Sequence, residues 1–352
     1  MNKNKYSLIV LLLSLCLLLG ACGAQAQPAA TEAPAATEAP APTEAVAEVP
    51  AAAAEPDAAL PVRVMTLNGT PGFGMAGLIA KADAGEAALN YSFSVETDAS
   101  NVTAALVNGD CDLAALPTNA ASALYNKTGG AVQVLTLNTR GVLYLVSDGS
   151  EIVDSFADLE GKTVYVPAQN PSFIFQYLAD ANGVTLTVDN SYPQPAELNT
   201  AVAAGQVALA VLPEPMVTVA RAQNSELQVV LDLTEEWDKV ARPGSLVQGC
   251  VAVRKDFAEA HPAELAAFLS EYEASVALLS EDTAAAAQAI EAAGIFPKAA
   301  VAEKAIPRCN VCFVTGQEMR EQLSAFLEIM AQAAPQSIGG AVPGDDFYCL
   351  LP

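Results

Sequence analysis

The sequence predicts an α/β protein made of two similar, doubly wound lobes, and three observations carry the prediction. A strand-and-helix unit occurs twice along the chain. Two further strands are placed to connect the copies. Residues 61–352 are globular in composition and numerous enough for two domains of ordinary size.

The repeat is visible by direct comparison. Residues 105–117 (ALVNGDCDLAALP) lie over residues 201–213 (AVAAGQVALAVLP), an offset of 96 from Ala105 to Ala201, with Ala, Gly, Leu, Ala, Leu and Pro at equivalent places. Each copy reads as the end of a helix, a turn at Gly109 or Gly205, a short buried strand and a closing Pro. Helices over 118–127 and 214–223 follow, each succeeded by a strand, at 131–138 and 227–233. Upstream, residues 64–73 parallel residues 164–173: strand, polar loop, then Pro71 or Pro171 at the first helical position. Thr70 and Asn170 then take the N-cap places, and each Pro supplies a preset φ while lacking an N–H that would be unpaired anyway.

Each half is therefore β-α-β-α-β-α-β, a pattern that wants a parallel sheet with helices on both faces and a crevice outside the carboxyl ends of its strands. Residues 142–146 and 246–253 read as strands suited to cross between halves, so the second half is an insertion in the first. Residues 61–142 with 250–352 are expected to form lobe one, and residues 143–249 lobe two. The helical tail over 255–334 would return to complete lobe one.

Ahead of the lobes, Lys3 and Lys5 precede an apolar run at 8–19, too short to span a bilayer comfortably, which reads as a signal peptide over 1–21. Gly20 and Ala21 before Cys22 resemble the bacterial lipobox, in which the cysteine is lipidated after cleavage. The expected product is a palmitate-class lipoprotein, lipid-anchored at the extracytoplasmic face of a bacterial cell membrane. Residues 22–60 repeat Ala, Pro, Thr and Glu without bulky apolar side chains, the composition of an extended, negatively charged tether.

Lys and Arg number 16 against 40 Asp and Glu, a net charge of −24, which argues against nucleic acid as a partner. Cys111, Cys250, Cys309, Cys312 and Cys349 remain after the leader and the anchor, so one thiol at least stays unpaired in a monomer, the expected state. Cys309 and Cys312 have the spacing of a redox or zinc half-site, yet no second pair exists and His261 is the only histidine. Buried or locally paired cysteines, with no metal and no cofactor, are expected instead. One histidine, no Walker loop and no nucleophile elbow leave little for catalysis, so no enzyme is expected.

Loops just past each strand should line the crevice, where helix N-termini offer unpaired N–H groups and partial positive charge to an anion or strong acceptor. The candidate ligand-binding residues in lobe one are Thr70, Phe73, Thr118, Asn119, Asn138 and Thr139. In lobe two they are Gln169, Asn170, Phe173 and Glu214. Thr70, Thr118 and Asn170 serve equally as caps, Phe73 and Phe173 as core, and Glu214 as a dipole-stabilised carboxylate at a helix start. Facing the cleft, Glu214 would ask for a ligand with an amino or other donor group. Trp237 is suited either to stack on a planar ligand or to pack in the core.

Several stretches, in order, resemble one family across residues 61–352: residues 116–121 (LPTNAA), 158–164 (DLEGKTV), 212–215 (LPEP), 249–254 (GCVAVR) and 339–348 (GGAVPGDDFY). That family is the ABC-transporter substrate-binding proteins of the nitrate, sulfonate, taurine and thiamine-pyrimidine-precursor branch. The resemblance implies a periplasmic-binding-protein-like fold of type II, two Rossmann-like lobes with two crossing strands. It further implies capture of a small solute by hinge closure and delivery to ABC permease and ATPase partners. A secreted enzyme on the same fold, such as a pyrimidine-precursor synthase or a transferase, and a solute sensor are the alternatives.

Overall fold

The structure, a computed structural model, describes residues 55–351. The expected leader, the expected lipidation site Cys22 and residues 22–54 of the expected tether lie outside the described residues.

Lobe one opens with β1 (Pro61–Leu67), α1 (Thr70–Phe73), α2 (Ala76–Asp83), β2 (Asn90–Glu96), α3 (Ala99–Asn108), β3 (Leu113–Pro117), α4 (Thr118–Thr128) and β4 (Val132–Arg140). The chain then crosses. Lobe two holds β5 (Leu143–Ser147), β6 (Thr163–Tyr165), α5 (Asn170–Asn182), β7 (Thr187–Asp189), α6 (Pro195–Ala203), β8 (Leu209–Pro213), α7 (Met216–Gln223), β9 (Gln228–Asp232) and α8 (Leu233–Val240). Returning, the chain forms β10 (Val247–Arg254), α9 (Lys255–Ala260), α10 (Pro262–Glu281), α11 (Thr283–Ala292), α12 (Ala299–Ala305), β11 (Val311–Val314) and α13 (Gly316–Ala333).

Two sheets result, ordered β11-β4-β10-β3-β1-β2 and β7-β6-β8-β5-β9. The expectation of wholly parallel sheets needs correction. β1 runs parallel to β2 and β3, and β6 to β7 and β8. The strands that follow each crossing run the other way: β5 is antiparallel to β8 and β9, and β10 to β3 and β4. Geometry forces this. β4 runs toward the carboxyl edge of its sheet, so a chain crossing there enters the second sheet at the same kind of edge and must run away from it. The two closing prolines of the repeat meet those returning strands at equivalent points, Pro117 against Gly249 and Pro213 against Leu143.

The repeated strands LAALP and LAVLP are buried except at their prolines, as central strands covered on both faces must be. Local signals agree at the ends of α3, where the Asp98 carboxylate accepts the Ser100 N–H and Gly109, at φ 77°, stops the helix. The N-caps at the two upstream loops fall one residue earlier than expected, on Gly69 and Gln169, and neither caps with a side chain. Thr70 and Asn170 are thereby released for other bonds.

α13 joins the lobes rather than completing lobe one alone. Phe326 lies 5.9 Å from the Trp237 ring of α8, which lies 4.8 Å from Tyr177 of α5. Trp237 is fully buried and its indole N–H donates to Ser245 Oγ at 2.8 Å, so it is core and has no open face for a ligand. The five cysteines of the described residues stand as free thiols, buried except for half-buried Cys312. Among the described residues no helix is long and apolar enough to cross a membrane.

Candidate functional site

Crossing at the carboxyl edges brings the loops of the two sheets together, and a cavity of about 530 Å³ lies among them. Lobe one supplies Asn68, Thr70, Asn119 and Thr139 to its wall, and lobe two supplies Gln169, Asn170, Gln194 and Glu214. Gln248, at the start of β10, completes it. This is the crevice position that doubly wound sheets use for ligands.

The helices α3, α4, α5, α6 and α7 all begin at the wall, through Ala99, Asn119, Asn170, Pro195 and Met216. Helix starts expose unpaired N–H groups and a partial positive charge; Asp98 already caps α3 and Glu214 already accepts from the start of α7, so the starts of α4, α5 and α6 are the ones that favour an anionic group. Among the described lining residues there is no Lys, Arg or aromatic side chain, and Glu214 is the one carboxylate.

Glu214 is already committed. Its side chain has no solvent exposure, and its carboxylate accepts from Arg308 Nε at 2.7 Å, Thr218 Oγ1 at 3.0 Å and the Thr218 N–H at 3.1 Å. Arg308 Nη2 also donates to Thr218 Oγ1 at 2.8 Å. Because Arg308 belongs to the returned chain and Glu214 to lobe two, this half-buried pair is a latch across the seam. Other bonds accompany it: Thr70 Oγ1 to the Glu214 carbonyl at 2.9 Å, Tyr144 OH to the Arg308 carbonyl at 2.8 Å, and Asn170 Nδ2 to Asn119 Oδ1 at 3.3 Å. Burial pushes the Tyr144 phenol above its ordinary range, so it stays a donor. The lobes are in direct contact across the cleft.

A family model described as NMT1/THI5 like matches residues 85–286, more than half of the chain. The chain belongs to the NMT1/THI5-like family. No curated protein matches it. Solved structures similar to this member include an ABC transporter protein from Parabacteroides distasonis, 22% identical, with a TM-score of 0.70 over 83% of this chain and 99% of that one. The periplasmic aliphatic sulphonate binding protein SsuA from Escherichia coli is 15% identical, with a TM-score of 0.62 over 81% and 97%. The alkanesulfonate-binding protein SsuA from Xanthomonas axonopodis pv. citri bound to MOPS is 16% identical, with a TM-score of 0.57 over 85% and 97%. At these identities the likeness establishes the fold, which is the two-lobed periplasmic-binding-protein fold of type II.

Within this NMT1/THI5-like chain the expected site residues divide into two groups. Thr70, Asn119, Thr139, Gln169, Asn170 and Glu214 stand at the cavity wall. Phe73, Thr118, Asn138 and Phe173 do not line it. Phe73 is buried in the core of lobe one, 6.2 Å from the Phe296 ring. Phe173 faces α13 across a groove with Ile329 and Ala333. Thr118 and Asn138 act one layer behind the wall. The Thr118 hydroxyl donates to the Val247 carbonyl at 2.8 Å, and Asn138 accepts from Thr139 Oγ1 at 3.0 Å while donating to the Pro71 carbonyl at 3.3 Å. A Cβ on Gly249 would collide with Asn138 Oδ1, so glycine there admits this amide.

Asn68, Gln194, Gln248 and Arg308 are not among the residues expected from sequence. Gln194 carried a usable signal, since Pro193-Gln194-Pro195 opens α6 with the same helix-start proline as Pro71 and Pro171. His261 stands at the start of α10 with its ring 4.7 Å from Phe257, outside the cavity wall.

Proposed function

We propose that this protein is an extracytoplasmic solute-binding lipoprotein that captures a small molecule between its lobes and delivers it to an ABC importer. The observation that carries the reading is one cavity walled by the carboxyl-edge loops of both sheets, with direct bonds joining the lobes across it. Closure favoured by groups from both sides is how a ligand shifts a two-state hinge, and its size suits a small molecule. The moving bodies would be residues 61–142 with 250–352 and residues 143–249. The likeness to sulphonate-binding proteins supports the importer assignment, with permease and ATPase as partners, and the Gly20-Ala21-Cys22 run supports Cys22 as the lipid anchor of a monomer.

The wall supports a sulfonate or similar small oxyanion over a thiamine-pyrimidine precursor. A planar base would find no aromatic ring to stack on, whereas helix starts and the Gln169, Gln194 and Gln248 amides suit a compact acceptor. Asn170 Oδ1 is buried without a partner, the one such orphan among the lining residues, and an acceptor of that kind suits a ligand that also carries a donor, as taurine does. A non-catalytic role is supported by a wall of amides, hydroxyls and prolines whose one carboxylate is tied to Arg308.

A thermal-shift screen of taurine, alkanesulfonates, nitrate and pyrimidine precursors tests the ligand class. Stabilisation of about 2.7 kcal/mol is expected at a hundredfold excess over Kd. A shift with pyrimidines alone would reverse the choice. Solution scattering at saturating ligand tests the clamp, which an unchanged radius of gyration would rule out.

A further inference from the structure

Apart from the cleft, a second cavity of about 480 Å³ opens on the seam where α7 of lobe two meets α12 of lobe one. It is lined by Thr218, Arg221, Ala222, Ser225, Lys304 and Arg308, and shares no residue with the cleft wall. We propose that it is an anion site for a small multivalent oxyanion of the phosphate type, and that its occupant reinforces closure of the lobes.

The charge arrangement is the first argument. In a chain of net charge −24, three cations converge on one cavity whose lining holds no Asp or Glu. Most Lys and Arg of the described residues are ion-paired; Lys127, Arg221, Lys298 and Lys304 are the ones with no carboxylate partner. Two of those four share this cavity, facing the already paired Arg308. Unpaired like charges held together are an unfavourable arrangement that a multivalent anion relieves.

The second argument is the spare hydrogen-bonding capacity. Arg308 uses Nε on Glu214 and one Nη2 hydrogen on Thr218, so three of the five guanidinium N–H groups remain for an anion without releasing Glu214. Arg221 on α7, Lys304 on α12 and Arg308 just beyond it come from opposite sides of the seam. An anion engaging all three contacts both lobes only while they are together, so it favours closure and, by reciprocity, tightens solute binding in the cleft.

The test is calorimetric titration of the intact chain with inorganic phosphate at ionic strength held constant with sodium chloride. Saturable binding is expected, at least about tenfold weaker in the R221Q/K304Q variant because two charge-assisted donors are lost. Both altered side chains are exposed or seam-lining, so an unchanged circular dichroism spectrum confirms that the variant is folded. Absence of saturable binding overturns the proposal, as does a variant that binds phosphate like the wild type, which would place the anion in the cleft. The Gln194→Ala variant, altered in the cleft wall at a side chain that makes no cross-lobe bond, is expected to bind phosphate normally, so failure here is distinct from failure of the solute-binding reading.

Discussion

Lobe one turns from β1 into α1 through Gly69, at φ 79° and ψ −158°, and lobe two turns from β6 into α5 through Gln169, at φ 65° and ψ −128°. Glycine adopts such a conformation without steric cost, whereas a side chain there is strained by about 1–3 kcal/mol. The neighbouring loops differ in the same sense. In lobe one β3 passes straight into α4, and the Thr118 hydroxyl ties back to β10 of its own sheet. In lobe two Glu214 stands at the matching place, Pro215 delays α7 to Met216, and the carboxylate reaches Arg308 across the seam. At these two turns lobe one is unstrained, whereas lobe two holds the strain at Gln169 and the carboxylate that reaches the other lobe.

Breaking the latch should have the largest effect. Arg308→Met leaves a buried carboxylate without its cation, and an expected loss of about 2–3 kcal/mol in urea unfolding follows. The figure sits below that for a fully buried pair because the Arg308 side chain is 34% exposed. Glu214→Gln should cost less, since the freed guanidinium can turn to solvent, and the double variant should recover part of the loss. Equal effects of the two single variants would mean that burial of Glu214 is not the deciding term.

Exchanging the turn residues sharpens the comparison at a smaller scale. Gly69→Gln should destabilise by about 2 kcal/mol through backbone strain alone, because nothing lies within 4 Å of an added Cβ. Gln169→Gly should raise stability by about 1 kcal/mol, the relieved strain exceeding the added freedom of the unfolded chain. It should also weaken solute binding, since the amide leaves the cavity wall. A gain in stability with unchanged affinity would show that the strain serves the turn and not the ligand.

The same pairs show what a sequence can and cannot carry. The duplicated strands were legible because LAALP and LAVLP are short apolar runs closed by proline, a local pattern. The reversal of β5 and β10 was not, because strand direction there depends on which edge the chain crosses, a property of the whole topology. Thr70, Asn119, Thr139, Gln169, Asn170 and Glu214 could be placed at the wall because each follows a readable strand end. Gln194 follows β7, only three residues long and without an apolar run, so its loop gave no strand to follow. Arg308 lies 94 positions from the carboxylate it pairs, beyond any spacing rule, and it falls in the helical tail expected only to complete lobe one. Positive φ at Gln169 was hidden for a related reason, since a glutamine does not announce a left-handed turn as a glycine does.

The smallest expected effect probes the seam through its thiols. Cys309 is buried, with the Thr70 hydroxyl 3.6 Å from its sulfur, and burial pushes the thiol up to about 12. Cys312 is half-buried, and burial pushes it up to about 11 against the opposing influence of Arg140. Both thiols therefore stay protonated at pH 8, and alkylation by iodoacetamide should be slow, Cys312 reacting before Cys309. Because Cys309 lies behind the Thr70 to Glu214 contact, its reagent must enter as the lobes part, so a cleft ligand should slow Cys309 further and leave Cys312 unchanged. The same shifts set a sign for alkaline stability. Above the ordinary thiol value of 9.0 the unfolded chain releases protons that the folded chain keeps until about 12, so the contribution is whole below 9.0 and declines as pH rises through that window. Urea unfolding that is flat from pH 9 to 11 would mean that burial does not hold these thiols protonated, and equal protection of both thiols by ligand would detach Cys309 from the seam.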